Sequence, residues 1–112
     1  MFDTHILDET LKAQREKRDR ERVYLLQQVE ETLRAVRKKY DMREAYICGS
    51  LLSAHRWYRF SDIDVAVGGC SRAVLDVMKD LEETTGKDVD VVDLDRHPFP
   101  DSFRNKGTKV YG

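Results

Sequence analysis

No glycine or proline occurs before Gly49. Nearly half of the chain therefore runs without either residue that most readily ends a helix. Leu, Glu, Lys, Arg and Gln dominate this stretch, so the sequence predicts helix from about Thr4 to Tyr40. The helix has two characters. Leu26, Val29, Leu33, Val36 and Tyr40 recur at steps of three and four and form one apolar stripe suited to a core. From Lys12 to Arg22 (KAQREKRDRER) almost nothing beyond Ala13 is apolar. That part is expected to be a solvated face or an arm that meets a partner. Residues 1–21 are thus read as a charged helical extension, and residues 22–112 as the folded domain.

After the helix the pattern changes to short apolar runs. Ala45 to Cys48 reads as a strand ending at Gly49-Ser50, and Ile63 to Val67 as a second strand after a loop from Leu51 to Phe60. Ser71 is expected to cap a helix reaching about Thr84, with Val74, Leu75, Met78 and Leu81 on its buried face. Gly86 suits the left-handed position just beyond that helix. Val89 to Leu94 reads as a third strand. A short helix to about Lys106 and an edge strand at Lys109-Val110-Tyr111 follow. The expected fold class is α/β (α+β): a small mixed sheet flanked by helices, with a long N-terminal helix.

Composition limits the function. Charged residues make up 37% of the 112, yet 20 basic and 21 acidic side chains leave a formal charge of −1. That balance argues against a general nucleic-acid binder. No apolar run approaches the roughly 20 residues of a membrane span, and no signal-peptide pattern opens the chain. Cys48 and Cys70 are too few for a disulfide framework, and Cys48 reads as a buried free thiol. A cytoplasmic protein is expected.

The chemistry lies in Gly49-Ser50 and Ser61-Asp62-Ile63-Asp64. Side chains alternate along a strand, so Asp62 and Asp64 leave one face while Ile63, Val65 and Val67 enter the core. Paired carboxylates repel unless a cation lies between them. Hard oxygen donors suit Mg2+ or Mn2+, which fill their shells with water and substrate phosphates. Gly49 allows close backbone approach to a ligand, and Ser50 offers a hydroxyl and an N–H to phosphate. A third carboxylate is expected from Asp90, with Asp88 and Asp93 as rivals. Arg56, Arg59 and His55 are loop candidates for triphosphate contact; His5 and His97 have no partner at metal-ligand spacing.

Taken in order, Gly49-Ser50, Ser61-Asp62-Ile63-Asp64-Val65 and Val89-Asp90-Val91-Val92-Asp93-Leu94 resemble the minimal nucleotidyltransferases of the DNA polymerase β superfamily. The stretch from Phe103 to Tyr111 also resembles the end of that domain, so the likeness covers about residues 22 to 112. The resemblance implies catalytic and metal-binding roles for Asp62, Asp64 and Asp90, nucleotide contacts from Gly49, Ser50, Arg56 and Ser61, and ATP with Mg2+ (or Mn2+). It further implies an antitoxin that pairs with a small all-helical HEPN-type toxin and transfers AMP to a protein hydroxyl. The sequence departs from the family after Gly-Ser, where a small residue, a basic residue and a glycine are usual. Here Ala54 with His55 or Arg56 stands in their place, no glycine follows, and Trp57-Tyr58 is expected to narrow the pocket or to bind a base or partner. The alternative readings are a weakened module that neutralises its partner by contact, or a nucleotide sensor. The N-terminal helix is expected to support self-association or partner binding.

Overall fold

A computed structural model describes residues 4–112. The element order is α1 (Thr4–Val36), β1 (Glu44–Cys48), β2 (Ile63–Gly68), α2 (Val74–Thr85), β3 (Val89–Asp93), α3 (Pro100–Lys106) and β4 (Thr108–Tyr111). One sheet runs β3-β2-β1-β4. Its β1–β2 and β1–β4 pairs are antiparallel and its β2–β3 pair is parallel. The expected mixed sheet with flanking helices is what the chain forms.

α1 has 33 residues and is therefore about 50 Å long, against a longest molecular dimension of 61 Å. Leu25, Val29, Leu33 and Val36 are its buried positions. Leu25 rather than Leu26 leads the stripe, and Leu26 is only partly covered. Regular helix stops at Val36, four residues before Tyr40. The chain then turns until Met42 N–H bonds back to Arg37 O at 2.9 Å and Asp41 N–H to Lys38 O at 3.4 Å. Asp41 is left-handed there, with φ 55. These are the two bonds and the left-handed residue of a Schellman stop. Buried Met42 follows it and enters the core.

α1 and α2 cover one sheet face, where Ala45, Ile47, Ile63, Val65, Val67 and Val89 are buried with Val77 and Leu81 of α2. Leu75, expected inside, is 73% exposed; Val77 takes its place one-half turn away. Ser71 does not cap α2 either: Ser71–Ala73 forms a short 3-10 turn, and the position before α2 is Ala73. Gly86 ends α2 with φ 69 as expected.

The other sheet face is only partly covered. Tyr46, Ala66 and Leu94 pack there with Cys48, Val92 and Phe103 of α3. α3 is fastened by a two-pronged ion pair, Arg104 Nε to Glu44 Oε1 at 2.8 Å and Nη2 to Oε2 at 3.1 Å. The Tyr111 hydroxyl donates to Leu33 O at 3.0 Å, tying β4 to α1. Both cysteines are free; Cys70 is buried, but Cys48 is only half-buried. It lies on the α3 face of β1, where cover is thin. Burial pushes each thiol up to about 11, so both stay protonated at neutral pH. No helix among the described residues is long and apolar enough to cross a membrane.

Candidate functional site

The site lies on the α3 face of the sheet, beyond the cover that α3 provides. Even-numbered residues of β1, β2 and β3 point to this face, as Tyr46, Ala66 and Val92 show. Register then aligns three side chains in a row: Cys48 opposite Asp64, and Asp64 opposite Asp90. Neighbouring strands lie about 4.8 Å apart, so the two carboxylates occupy adjacent rungs. Asp62 precedes β2 by one residue and is exposed.

Asp64 is the half-buried member. Burial raises its pKa first, the charges of Asp90 and then Asp62 raise it further, and Arg56 pulls it back. The other two predicted carboxylates and one predicted arginine therefore act on Asp64. Asp90 is exposed on an edge strand, and not inside an apolar core. Asp88 is exposed before β3, where its carbonyl accepts from Ile63 N. Asp93 is engaged elsewhere, accepting from Asp95 N at 3.0 Å.

Gly49 ends β1 with φ 70 and opens a 3-10 turn, Gly49–Leu52. A Cβ built there would overlap the Asp64 carboxylate. Only glycine satisfies both the left-handed backbone and this approach. Ser50 lies in the turn, its carbonyl accepting from Ser53 N at 3.2 Å. Leu51 is fully buried and pins the turn to the core.

The loop that follows is built differently from its sequence reading. Trp57 is 3% exposed and belongs to the core, so it anchors the loop. Tyr58 is exposed. Ser61 closes the loop, its hydroxyl accepting from Tyr58 N at 2.9 Å and its N–H donating to Tyr58 O at 3.0 Å. Arg56 and His55 are exposed at the tip.

Two loop clamps were not picked out from sequence. Arg22 Nη1 donates to Leu51 O at 3.0 Å while Nε pairs with Asp19 at 2.9 Å. Lys87 donates to Arg59 O at 3.2 Å, pairs with Glu21 at 3.6 Å, and lies 5.9 Å from the Trp57 ring centre. The segment Lys12 to Arg22 is therefore more than a solvated face. The available signal was spacing: Arg22 is three residues before Leu25 and seven before Val29, on the same stripe of α1.

Among the described residues, no three His, Cys, Asp or Glu side chains converge closely enough to hold a metal ion by themselves. Asp64 and Asp90 are neighbours across the β2–β3 pair. Such a set fits Mg2+, which takes one or two carboxylates and completes its shell with water and phosphate.

No protein-family model matches the chain, and no curated protein matches it by sequence. Solved structures do. A toxin–antitoxin structure with AMP-PNP is 24% identical, with TM-score 0.61 over 74% of this chain and 73% of that one. The shared fold, a four-stranded mixed sheet with flanking helices, is consistent with a polymerase β-like fold. A structure of the MntA–HepT toxin–antitoxin is 21% identical, with TM-score 0.56 over 77% and 72%. A mutant of that toxin–antitoxin, with two aspartates separated by one residue changed to glutamate, is 21% identical, with TM-score 0.58 over 74% and 72%. These matches cover about three-quarters of this chain.

Proposed function

We propose that the chain is a Mg2+-dependent nucleotidyltransferase that moves a nucleoside monophosphate, AMP from ATP, onto a protein hydroxyl. Its partner in this reading is a small all-helical HEPN-type toxin, for which it is the antitoxin. Residues 22–112 form the transferase unit and residues 1–21 its arm. The observation that carries the reading is the row on the open sheet face: Asp64 under the influence of Asp90, Asp62 and Arg56, with Gly49 against its carboxylate. Similarity to toxin–antitoxin structures, one with AMP-PNP and one altered at an aspartate pair of the Asp62–Asp64 spacing, supports it.

Each residue has a role in this scheme. Asp62 and Asp64 would hold Mg2+ (or Mn2+), and Asp90 would share in holding it. The bound ion supplies charge neutralisation on the triphosphate and in-line alignment of attacking and leaving oxygens. Gly49 lets the backbone reach the phosphates, and Ser50 donates to them. Arg56 adds positive charge beside Asp64, where negative charge collects in the transition state. Asp90, exposed beside the site, accepts the proton of the attacking hydroxyl. The hydroxyl oxygen bonds to the α-phosphorus as the bond to pyrophosphate breaks.

Incubation with α-labelled ATP, Mg2+ and the product of the neighbouring gene tests the scheme. Label on a partner hydroxyl, lost in Asp64→Asn, is expected. A tight but unlabelled complex would favour the second reading, a module that neutralises by contact. That reading draws on one observation: the loop that usually carries a flexible glycine is here held by Trp57, Arg22 and Ser61.

A further inference from the structure

The N-terminal half of α1 overhangs the loop between β1 and β2, and the space between them is basic. Six basic residues against three acidic ones lie between Lys12 and Arg22, in a chain of formal charge −1. At the base of this space the cations are committed, Arg22 to Asp19 and Lys87 to Glu21. Above it, Arg15, Arg18 and Arg59 have no carboxylate partner among the described residues. Arg18 lies 5.8 Å from the Tyr58 ring centre, and Arg59 lies 5.5 Å from that of Phe60. Both rings are exposed, at 58% and 87%.

Three cavities adjoin along this line. The first, of about 370 Å³, is lined by Arg15, Arg18, His55 and Tyr58 with Ala54 and Trp57. Arg18 and Lys17 line the second, of about 680 Å³, which reaches Arg59 and Lys87 past Glu21, the ion-pair partner of Lys87. Arg59 and Lys87 line the third, of about 340 Å³, which ends at Ser61 and the carboxylates Asp62 and Asp88. Shared walls make one track from the arm to the edge of the carboxylate site.

We propose that this track is a second ligand site, taking a chain of phosphates. Unpaired guanidiniums present forked donors that match phosphate oxygens. Successive cations with exposed rings between them suit a ligand whose charges repeat along its length. The carboxylate site repels such a ligand when no metal is present. The track therefore binds without metal, and the inference stands apart from the proposed transfer reaction.

The test is calorimetric titration of inorganic tripolyphosphate into the full chain in EDTA. Saturable binding is expected, weakened at least about tenfold by Arg15→Ala with Arg18→Ala and unchanged by Lys79→Ala, which removes an exposed cation outside the lining of the track. Alanine preserves helix propensity, and circular dichroism would verify the fold of the variant. Arg15→Gln with Arg18→Gln, which keeps side-chain length and removes charge, should lose binding equally. A short single-stranded oligothymidylate identifies the source. Tighter binding through the same arginines assigns the site to a nucleic-acid backbone, and weaker binding to a free phosphate chain. Absence of tripolyphosphate binding, binding indifferent to both arginine pairs, or binding of poly-glutamate alone would overturn the proposal.

Discussion

Asp64 on β2 and Asp90 on β3 are register partners across the parallel strand pair. Two carboxylates on adjacent rungs of one face make the metal-free site electrostatically unfavourable at neutral pH. Asp64 is held above the usual carboxylate range, by burial first and by Asp90 and Asp62 next. A raised folded pKa stabilises the protein fully below the unfolded value of about 4. That contribution disappears as pH rises through the folded value. Asp64→Asn should therefore raise the thermal midpoint in EDTA at pH 7 and remove any gain from added Mg2+. A lowered midpoint in EDTA would show that the carboxylate is favourable as it stands.

Gly49→Ala should damage both stability and binding. A left-handed non-glycine residue costs about 1–2 kcal/mol, and the added methyl group displaces the Asp64 carboxylate. Urea unfolding reads the first effect. Mg2+-ATP titration reads the second, with at least about tenfold weaker binding expected. Full retention of binding would separate Gly49 from the site.

Trp57 and Tyr58 are neighbours with opposite fates, at 3% and 58% exposure. Trp57→Ala should cost about 3–5 kcal/mol by emptying a core position. Tyr58→Ala should stay within about 0.5 kcal/mol. Equal losses in denaturant titrations would contradict the anchoring role of Trp57.

Legibility from sequence followed backbone rules closely and tertiary contacts poorly. All four strands, the left-handed Gly86 and the core face of β2 follow from alternation and turn chemistry. The neighbourhood of Gly49, Asp64 and Asp90 is legible from spacing and resemblance together. Long-range fits were not readable. Nothing local distinguishes Trp57, which fills the core, from Tyr58, which does not. Likewise Arg22 belongs to a charged run by composition, yet its stem follows the apolar stripe of α1 and its head meets Leu51 O. Leu75 shares a helical spacing with Val74, Met78 and Leu81, yet it is exposed and Val77 packs into the core.

Acid should loosen α3. Hydrogen bonds from Arg104 hold Glu44 below the usual carboxylate range, outweighing the opposite effect of its burial. A lowered folded pKa stabilises the protein above the unfolded value, about 4.3, and that contribution is lost as pH falls through the folded value. Glu44→Gln should thus lower stability at pH 7 by about 1–2 kcal/mol and flatten the decline below pH 4.3. Unfolding curves between neutral and acid pH would reveal a parallel decline in both proteins if the pair were immaterial.

The central claim is that Asp62 and Asp64 form a metal–triphosphate site. Calorimetric titration of ATP into the full chain, with Mg2+ and then with EDTA, addresses it directly. Binding that requires Mg2+ and disappears when Asp62→Asn and Asp64→Asn are combined is predicted. Wild-type protein that shows no metal-dependent binding, or a double variant that binds Mg2+-ATP as well as wild type, would contradict it.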